Sequence, residues 1–421
     1  MKIGILGAGA AGLVSLKYAL EEGHEVVCFE KSARLGGCWS GDGRVGKDEL
    51  GNHISSGMYK GLTTNLPKEI MIFDGLEHNP HSKSFVGQAE ILHYLQTYAK
   101  KFNLAKSIRF GHEVISIEPL SSDPNTRWRL LVRNLTKPDE EPTTHDFDAL
   151  MLAPGHFVHK FIADIKDANV FQGDMLHSND FRDGANYVNK RVLVIGAGPS
   201  GGDIAKRVAQ HAKITFQSVK VDSHKFVPIH KDVVEKGEVD HFDRNGAHFQ
   251  DGSYEPLDVV IYSTGYTYMV PCLSPACGIR IENNWFKFLY HHCINIERPS
   301  MAIIGLPYGA SIFPLADLQV RYYMAYLAGK FDLPSREAML ESVSNEHAVR
   351  ISKGVPDRNF HNFSDCGRAL SGALAKESGV RPTPNVIFNI MDALHGAWND
   401  QDKFEIVDDE TFNRTPPGNI N

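Results

Sequence analysis

The chain is short of cysteine, of long apolar runs and of excess positive charge, and each shortage removes a class of protein. Its 421 residues hold six cysteines, Cys28, Cys38, Cys272, Cys277, Cys293 and Cys366. None forms a Cys-x-x-Cys pair, so neither a disulfide scaffold nor a zinc centre is expected. No apolar stretch approaches the roughly 20 residues of a membrane helix. The most apolar runs, 192–195 and 301–306, are short and marked by glycine, as buried strands are. A strand pattern begins directly after Met1, so no signal peptide is expected. The chain is expected to be soluble, and cytoplasmic, or secreted if a leader was cut from a precursor. Lys and Arg number 44 against 51 Asp and Glu, a formal net charge of −7. Such a chain is not drawn to phosphate backbones, so no nucleic-acid partner is expected. With 42% hydrophobic and 23% charged residues, it is not a disordered chain, a collagen or a coiled-coil rod. Three Asn-x-Ser/Thr tripeptides, at Asn134, Asn362 and Asn413, hint only weakly at secretion.

What is present is a strand–turn–helix–strand pattern, twice. Lys2–Leu6 leads into Gly7-Ala8-Gly9-Ala10-Ala11-Gly12, an apolar helical segment ending near Gly23, and a strand over 25–29 closed by Glu30 and Lys31. Arg191–Ile195 leads into Gly196-Ala197-Gly198-Pro199-Ser200-Gly201, then Gly202, a helix over 203–212 that starts at Asp203, and a strand over 213–217. In Gly-x-Gly-x-x-Gly the first glycine permits the turn, the second admits a pyrophosphate, and the third lets helix and strand pack closely. The helix N-terminus then faces the phosphates with unpaired N–H groups. A glycine turn alone can be merely structural. Two of them, each between a strand and a helix, predict two dinucleotide sites. Glu30 stands 23 positions after Gly7. A carboxylate there accepts from ribose hydroxyls and repels a 2′-phosphate, which suits FAD or NAD. The corresponding place after Gly196 falls between Ser218 and Lys220, with no acid at the strand end. A hydroxyl and an ammonium suit a 2′-phosphate, hence NADP, although Lys220 also reads as an ordinary surface lysine. Two such sites on one chain predict electron transfer between two cofactors.

Between and after the two units, a surface helix is expected over 87–102, strands over 114–118, 127–134 and 147–152, and a polar turn over 136–146. Further strands are expected over 257–262 and 301–305 and a helix over 315–327. The last residues, 408–421, read as a tail without a packed core. The run 220–231 reads as a solvated loop.

The following residues carry a resemblance that covers positions 2 to about 330. Phe171, Gly173, His177 and Phe181 form Phe-x-Gly-x-x-x-His-x-x-x-Phe just before the second turn. Gly36-Gly37-Cys38-Trp39 follows the first unit, Thr64-Asn65-Leu66-Pro67-Lys68-Glu69 lies beyond it, and Ser263-Thr264-Gly265-Tyr266 closes the 257–262 strand. In these motifs the chain resembles the flavin-containing monooxygenases that oxygenate nitrogen and sulfur in small molecules. It departs from them in Pro199, where Asn is common, in Lys220, where Arg is usual, and in Ser263, where Ala is usual. Mammalian members carry a hydrophobic C-terminal anchor, and none is expected here. In this the chain looks more like soluble insect members that N-oxygenate pyrrolizidine alkaloids. A flavin disulfide reductase would need a cysteine partner for Cys38, and position 43 is glycine. A Baeyer–Villiger monooxygenase would carry Trp at Phe181.

The resemblance implies an α/β fold with two Rossmann-type domains, parallel sheets and flanking helices, the NADP domain inserted in the FAD domain. The expected boundaries are 1–165 with 275–421 for FAD and 166–274 for NADP. It implies FAD, NADPH/NADP⁺ and O₂, a C4a-hydroperoxyflavin, and transfer of one oxygen to a tertiary amine or a sulfide. No metal is expected, and a homo-oligomer is compatible with the chain. The cofactor contacts expected are the residues of both turns with Glu30, Lys31, Gly37, Cys38, Trp39, Thr64, Leu66, Val114, Gly202, Asp203, Ser218, Lys220 and Thr264. Asn65 is expected nearest the chemistry, because a neutral amide can hold a peroxide without protonating it. Gln319 resembles a glutamine that approaches the flavin ring, and also reads as solvent-facing. His53 is placed weakly near FAD, and His177 reads as a structural histidine. Two alternatives stay open: an NADPH oxidase releasing hydrogen peroxide, and a non-catalytic dinucleotide-binding redox sensor.

Overall fold

A computed structural model describes residues 1–220, 229–364, 366–394 and 399–417. Lys2–Leu6 sits inside a seven-stranded sheet whose order is Leu289–Tyr290, Ile294–Asn295, Met301–Ile303, Ala149–Leu152, Lys2–Leu6, Glu25–Glu30, Ile108–Phe110. The five strands from Met301–Ile303 onward are parallel. Parallel strands are apolar throughout because both faces are covered. Ala149 and Met151 face one side, packing with the helices Ala10–Glu21, Gln88–Lys101 and Ile312–Leu327. Leu150 and Leu152 face the other, packing with Trp128, Leu130 and Phe147. The alternation is the two-residue period of a strand. The second covering layer is an antiparallel meander of His112–Pro119, Trp128–Asn134 and Thr143–Phe147.

A second sheet has five parallel strands in the order Val233–Lys236, Ile214–Ser218, Arg191–Ile195, Val259–Tyr262, Asp174–His177. Val192 and Val194 pack on Ile204, Ala205 and Val208 of the helix Pro199–Ala209. Leu193 and Ile195 pack on Phe216, Phe242 and Phe249, the last two from a small antiparallel sheet. These five strands all fall between residues 174 and 262, and the strands of the first sheet lie on either side of them in the chain. The fold is therefore α/β with two Rossmann-type units, one inserted in the other. The two crossings between them pair with each other, His159–Lys160 antiparallel to Tyr266–Thr267.

Several expected elements differ. The second Gly-rich helix starts at Pro199, not 203, because proline at the first helical position fixes φ and needs no N–H partner. The polar stretch 136–146 is not all turn: Thr143–Phe147 is an edge strand of the meander, opened by two exposed β-branched threonines. The 408–421 tail does have a packed partner. Phe412–Thr415 pairs with Lys403–Ile406, and Phe404 of the latter strand is 1% exposed. Three helices, Arg336–Ser352, Gly367–Ser378 and Asn385–Leu394, extend the C-terminal part beyond the sequence reading. Much of the 220–231 run lies outside the described residues.

Candidate active site

Both Gly-rich turns are built as their spacing demands. Gly7 and Gly196 have φ of +89° and +118°, a region that side chains disfavour. A methyl group at Gly12 would lie 1.8 Å from the Gly7 carbonyl oxygen, and one at Gly201 2.2 Å from that of Gly196. The third glycine of each turn is thus fixed by contact between helix and strand. The second glycines meet open space: a methyl at Gly198 would touch nothing within 4 Å, and one at Gly9 would approach only Gly37, at 3.5 Å. Those are the places where a pyrophosphate needs bare backbone.

The two turns open onto the same cavity, of about 1600 Å³. Its wall includes Gly7, Gly9, Ala10, Ala11, Glu30, Lys31, Gly37, Cys38, Trp39, His53, Asn65, Leu66, Val114, Gly198 and Pro199. The sequence separates these residues by up to 192 positions, and the fold brings them to one space. Glu30 is buried at the end of its strand. Its Oε2 accepts from Ala8 N–H at 2.8 Å, and its Oε1 from the N–H and hydroxyl of Ser32, both at 2.8 Å. Burial pushes the Cys38 thiol up to about 11, so it is a neutral wall group and not a thiolate. Every carboxylate in the wall is engaged. Asp42 pairs with Arg34 and Arg44, Glu49 with Arg44, Glu113 with Arg133 and Asp392 with Arg368. Asp48 accepts from the backbone of Leu50 and Asn52.

The remaining sequence-chosen residues stand behind or beside this wall. Ala8, Gly12, Gly196, Gly201 and Gly202 shape the turns from within, Gly202 N–H donating to Gly198 at 3.0 Å. Ser200 is exposed in the first helical turn. Asp203 accepts from Tyr59 at 2.6 Å and pairs with Arg207 at 2.8 Å. Thr64 is 2% exposed, and its hydroxyl accepts from Val86 N–H at 3.2 Å. Thr264 donates to Phe161 across the crossing. The Ser218 hydroxyl is buried and donates to Gly237 at 2.9 Å, which leaves exposed Lys220 at that strand end. Gln319 is fully buried, not solvent-facing, and does not line the cavity. Its Oε1 accepts from Gly305 N–H at 3.0 Å, so it holds a backbone that does.

The Phe-x-Gly-x-x-x-His-x-x-x-Phe residues form a joint between the two sheets. A methyl at Gly173 would strike the Asp258 carbonyl at 2.4 Å and the Phe171 ring at 2.5 Å. His177 Nδ1 accepts from Asn179 N–H at 3.1 Å, so its Nε2 carries the proton donated to Gly265 at 3.0 Å. Burial lowers its pKa and keeps it neutral. Asn179 donates to Ser55 at 3.0 Å, and Arg182 donates to the carbonyls of Gly43, Arg44 and Ser56. The motif thus ties the second unit to the loop that carries His53.

Two wall segments, 153–159 and 304–305, and the C-terminal residues Asn362, Ser364, Met391 and Asp392 escaped the sequence reading. The glycines Gly155 and Gly305, both at positive φ, were the available signal. His156 donates from Nδ1 to Gly305 at 3.1 Å, and burial pushes its pKa down to about 4.

A family model described as flavin-binding monooxygenase-like matches residues 1–232 and 227–391. The chain belongs to the flavin-binding monooxygenase family. It is 32% identical over 404 residues to senecionine N-oxygenase of Tyria jacobaeae, covering 92% of this chain and 85% of that one. It is 29% identical over 402 residues to flavin-containing monooxygenase FMO GS-OX1 of Arabidopsis thaliana, covering 91% and 86%. Among solved structures it is similar to the S-allyl-L-cysteine S-oxygenase of Allium sativum, with TM-score 0.84, 25% identity and 95% of each chain covered.

The cofactors of this flavin-binding monooxygenase are FAD and NADPH, with O₂ as co-substrate. The wall fits both dinucleotides: two bare-backbone turns at helix N-termini, and a fixed carboxylate at one strand end. Among the described residues no group of ligating side chains is arranged for a metal, and no helix is long and apolar enough to cross a membrane.

Proposed function

We propose that this chain is an FAD- and NADPH-dependent monooxygenase that adds one oxygen to an uncharged soft nucleophile. The substrates are a free-base tertiary amine, of which a pyrrolizidine alkaloid is one example, or a thioether. The observation that carries this reading is the single cavity shared by both Gly-rich turns and Asn65. In the proposed division, residues 1–165 and 275–421 hold FAD, and 166–274 hold NADPH. Gly7, Gly9 and Glu30 take the FAD pyrophosphate and ribose, and Gly198 with Lys220 takes the NADPH phosphates. Bound there, the flavin supplies two-electron chemistry between NADPH and O₂.

The substrate provides the electron pair, so the chain needs no nucleophile of its own. Its task is to position and to exclude water. Leu66, Met71, Ile312, Phe313 and Met391 form an apolar part of the wall. Asn65 offers donor and acceptor together, and no acidic proton. Four of the six wall carboxylates, Asp42, Glu49, Glu113 and Asp392, are paired with arginines, and neither Asn65 nor the apolar part of the wall carries a negative charge to hold an ammonium ion. That favours the free base, whose lone pair is available, over the protonated amine, whose lone pair is not.

The test is turnover of purified holoenzyme with NADPH, isotopically labelled O₂ and either a tertiary amine or a thioether. One labelled oxygen in the N-oxide or S-oxide supports the reading. NADPH consumption that yields only hydrogen peroxide would make the chain an oxidase. Binding of both cofactors without NADPH consumption would make it a sensor.

A further inference from the structure

We infer that Asn362 is a specificity-determining residue whose amide N–H donors bind an acceptor oxygen on the substrate, held in place by a braced histidine pair. The inference rests on the proposed function and names a class of substrate for it: a soft nucleophile that also carries a carbonyl-type oxygen.

Asn362 lines the cavity beside Gly309. The orientation of its amide is fixed. Ser364 N–H faces it at 3.1 Å, and a backbone N–H can only donate, so the atom facing it is the oxygen. The Ser364 hydroxyl donates to the same oxygen at 2.7 Å. Gly309 presses against that oxygen, since a methyl there would come within 2.3 Å of it. The NH₂ group is therefore on the other side, and it has no hydrogen-bond partner among the described residues.

The backbone of Asn362 is pinned as firmly. Its carbonyl accepts from Arg350 Nη1 at 2.9 Å. On either side of it, Tyr308 N–H donates to His361 O at 2.9 Å, and Phe363 N–H donates to Tyr308 O at 2.7 Å. The His361 ring supplies the brace from behind. It is 1% exposed, and its Nε2 accepts from Phe286 N–H at 3.1 Å. Its Nδ1 must then carry the proton, which it donates to His292 Nδ1 at 2.9 Å. His292 Nε2 in turn donates to the Glu346 carboxylate, 3.0 Å from both oxygens. One arrangement of protons satisfies all three links. Glu346, further held by Arg350 at 2.9 Å, selects it, and so acts as a positioning residue for Asn362.

The test uses the holoenzyme and two thioethers of equal size: isopentyl methyl sulfide, and the ketone in which one branch methyl is replaced by a carbonyl oxygen. Calorimetric titration gives the Kd of each, and turnover gives KM and kcat. The wild-type chain is expected to bind the ketone about tenfold more tightly, one well-placed hydrogen bond. Asn362→Leu, of similar size, should abolish that preference and raise KM for the ketone about tenfold relative to any change for the isopentyl sulfide. Glu346→Leu should weaken the preference, and Glu346→Gln, which keeps an acceptor for His292, should restore it. A wild-type chain that binds the two equally overturns the inference. So does an Asn362→Leu chain that loses affinity for both alike. Selective binding of the ketone without S-oxide formation would leave the acceptor site standing and overturn the oxygenase reading instead.

Discussion

Adding one methyl group at two neighbouring glycines should separate packing from ligand binding. In Gly201→Ala the new carbon lies 2.2 Å from the Gly196 carbonyl oxygen and 3.3 Å from Ser263 Cβ. The first contact is rigid backbone and short of van der Waals distance by about an ångström. The helix Pro199–Ala209 must therefore retreat from the sheet and loosen Ile204, Ala205 and Val208. Overpacking of this kind costs about 1–3 kcal/mol, and backbone on backbone puts it at the upper end. In Gly198→Ala the same carbon meets nothing within 4 Å, and the backbone, at φ −71° and ψ 179°, suits alanine. The gain from a stiffer unfolded chain, about 0.4–1 kcal/mol, offsets the loss of a glycine N-cap. Folding stability should then stay within about 0.5 kcal/mol. The methyl does, however, stand where a pyrophosphate would meet the helix N-terminus. Losing one charge-assisted hydrogen bond costs about 1.5–3 kcal/mol, or about 10–100-fold in Kd. Urea unfolding and NADPH titration of both variants decide the matter. An NADPH affinity unchanged in Gly198→Ala would refute the assignment of this turn as a phosphate cradle.

Four further outcomes are expected. Asn65→Ala should keep flavin reduction by NADPH while most of the O₂ consumed appears as peroxide, measured by a peroxidase-coupled assay; intact coupling would remove Asn65 from the chemistry. Lys220→Ala should narrow the ratio of NADPH to NADH affinity, because the Ser218 hydroxyl is committed to Gly237 and does not back it up; equilibrium titration of both nucleotides reads this. Arg182→Lys should expose the 41–57 loop to proteolysis almost as much as Arg182→Ala does, since a point charge cannot replace a guanidinium that serves five carbonyls. Finally, stability should fall in acid. The folded His156 pKa, about 4, lies below the unfolded value of 6.5, so the unfolded state takes up the proton first. The stabilisation is complete above pH 6.5 and is lost as pH falls toward 4, on the order of 3 kcal/mol from this one group. His292 and His361, also lowered by burial, act in the same direction. Urea midpoints measured from pH 7 to 4 in the wild-type chain and in His156→Gln should converge as the pH falls.

The parts of the fold set by local constraints were readable from the residues. Gly7, Gly12, Gly196 and Gly201 are dictated by a turn angle or a backbone contact within their own unit, and the strands leading into them are polar only at their first residues, Lys2 and Arg191. Thr143–Phe147 was missed because its polarity reflects an exposed edge, while its β-branched pair marks a strand. The helix Arg336–Ser352 was missed because only Met339 and Arg350 of it are buried, which leaves almost no apolar stripe. Phe404 was assigned to no element, because it packs with residues remote in the chain such as Ile70 and Phe85, and its N–H donates to Ser84, 320 positions away. The cavity wall divides in the same way. Glu30 and Asn65 belong to short motifs. His156, Gly305 and Asn362 come together only when the C-terminal helices close over the first sheet. Asn134 and Asn362 share a further local cause: in each tripeptide the asparagine oxygen accepts from the residue two positions on, so the pattern here builds a turn.

The bonding of Glu30 bears on how a dinucleotide is received. An ionised carboxylate offers about four lone-pair directions, and three are taken by Ala8 and Ser32 before any ligand arrives. Rotamer entropy of order 1 kcal/mol is therefore lost when the chain folds and is not lost again on binding. The vacancy that remains is on Oε2 alone. Recognition of the ribose through this side chain is accordingly a single hydroxyl donating to a single oxygen, a preorganised and monodentate grip.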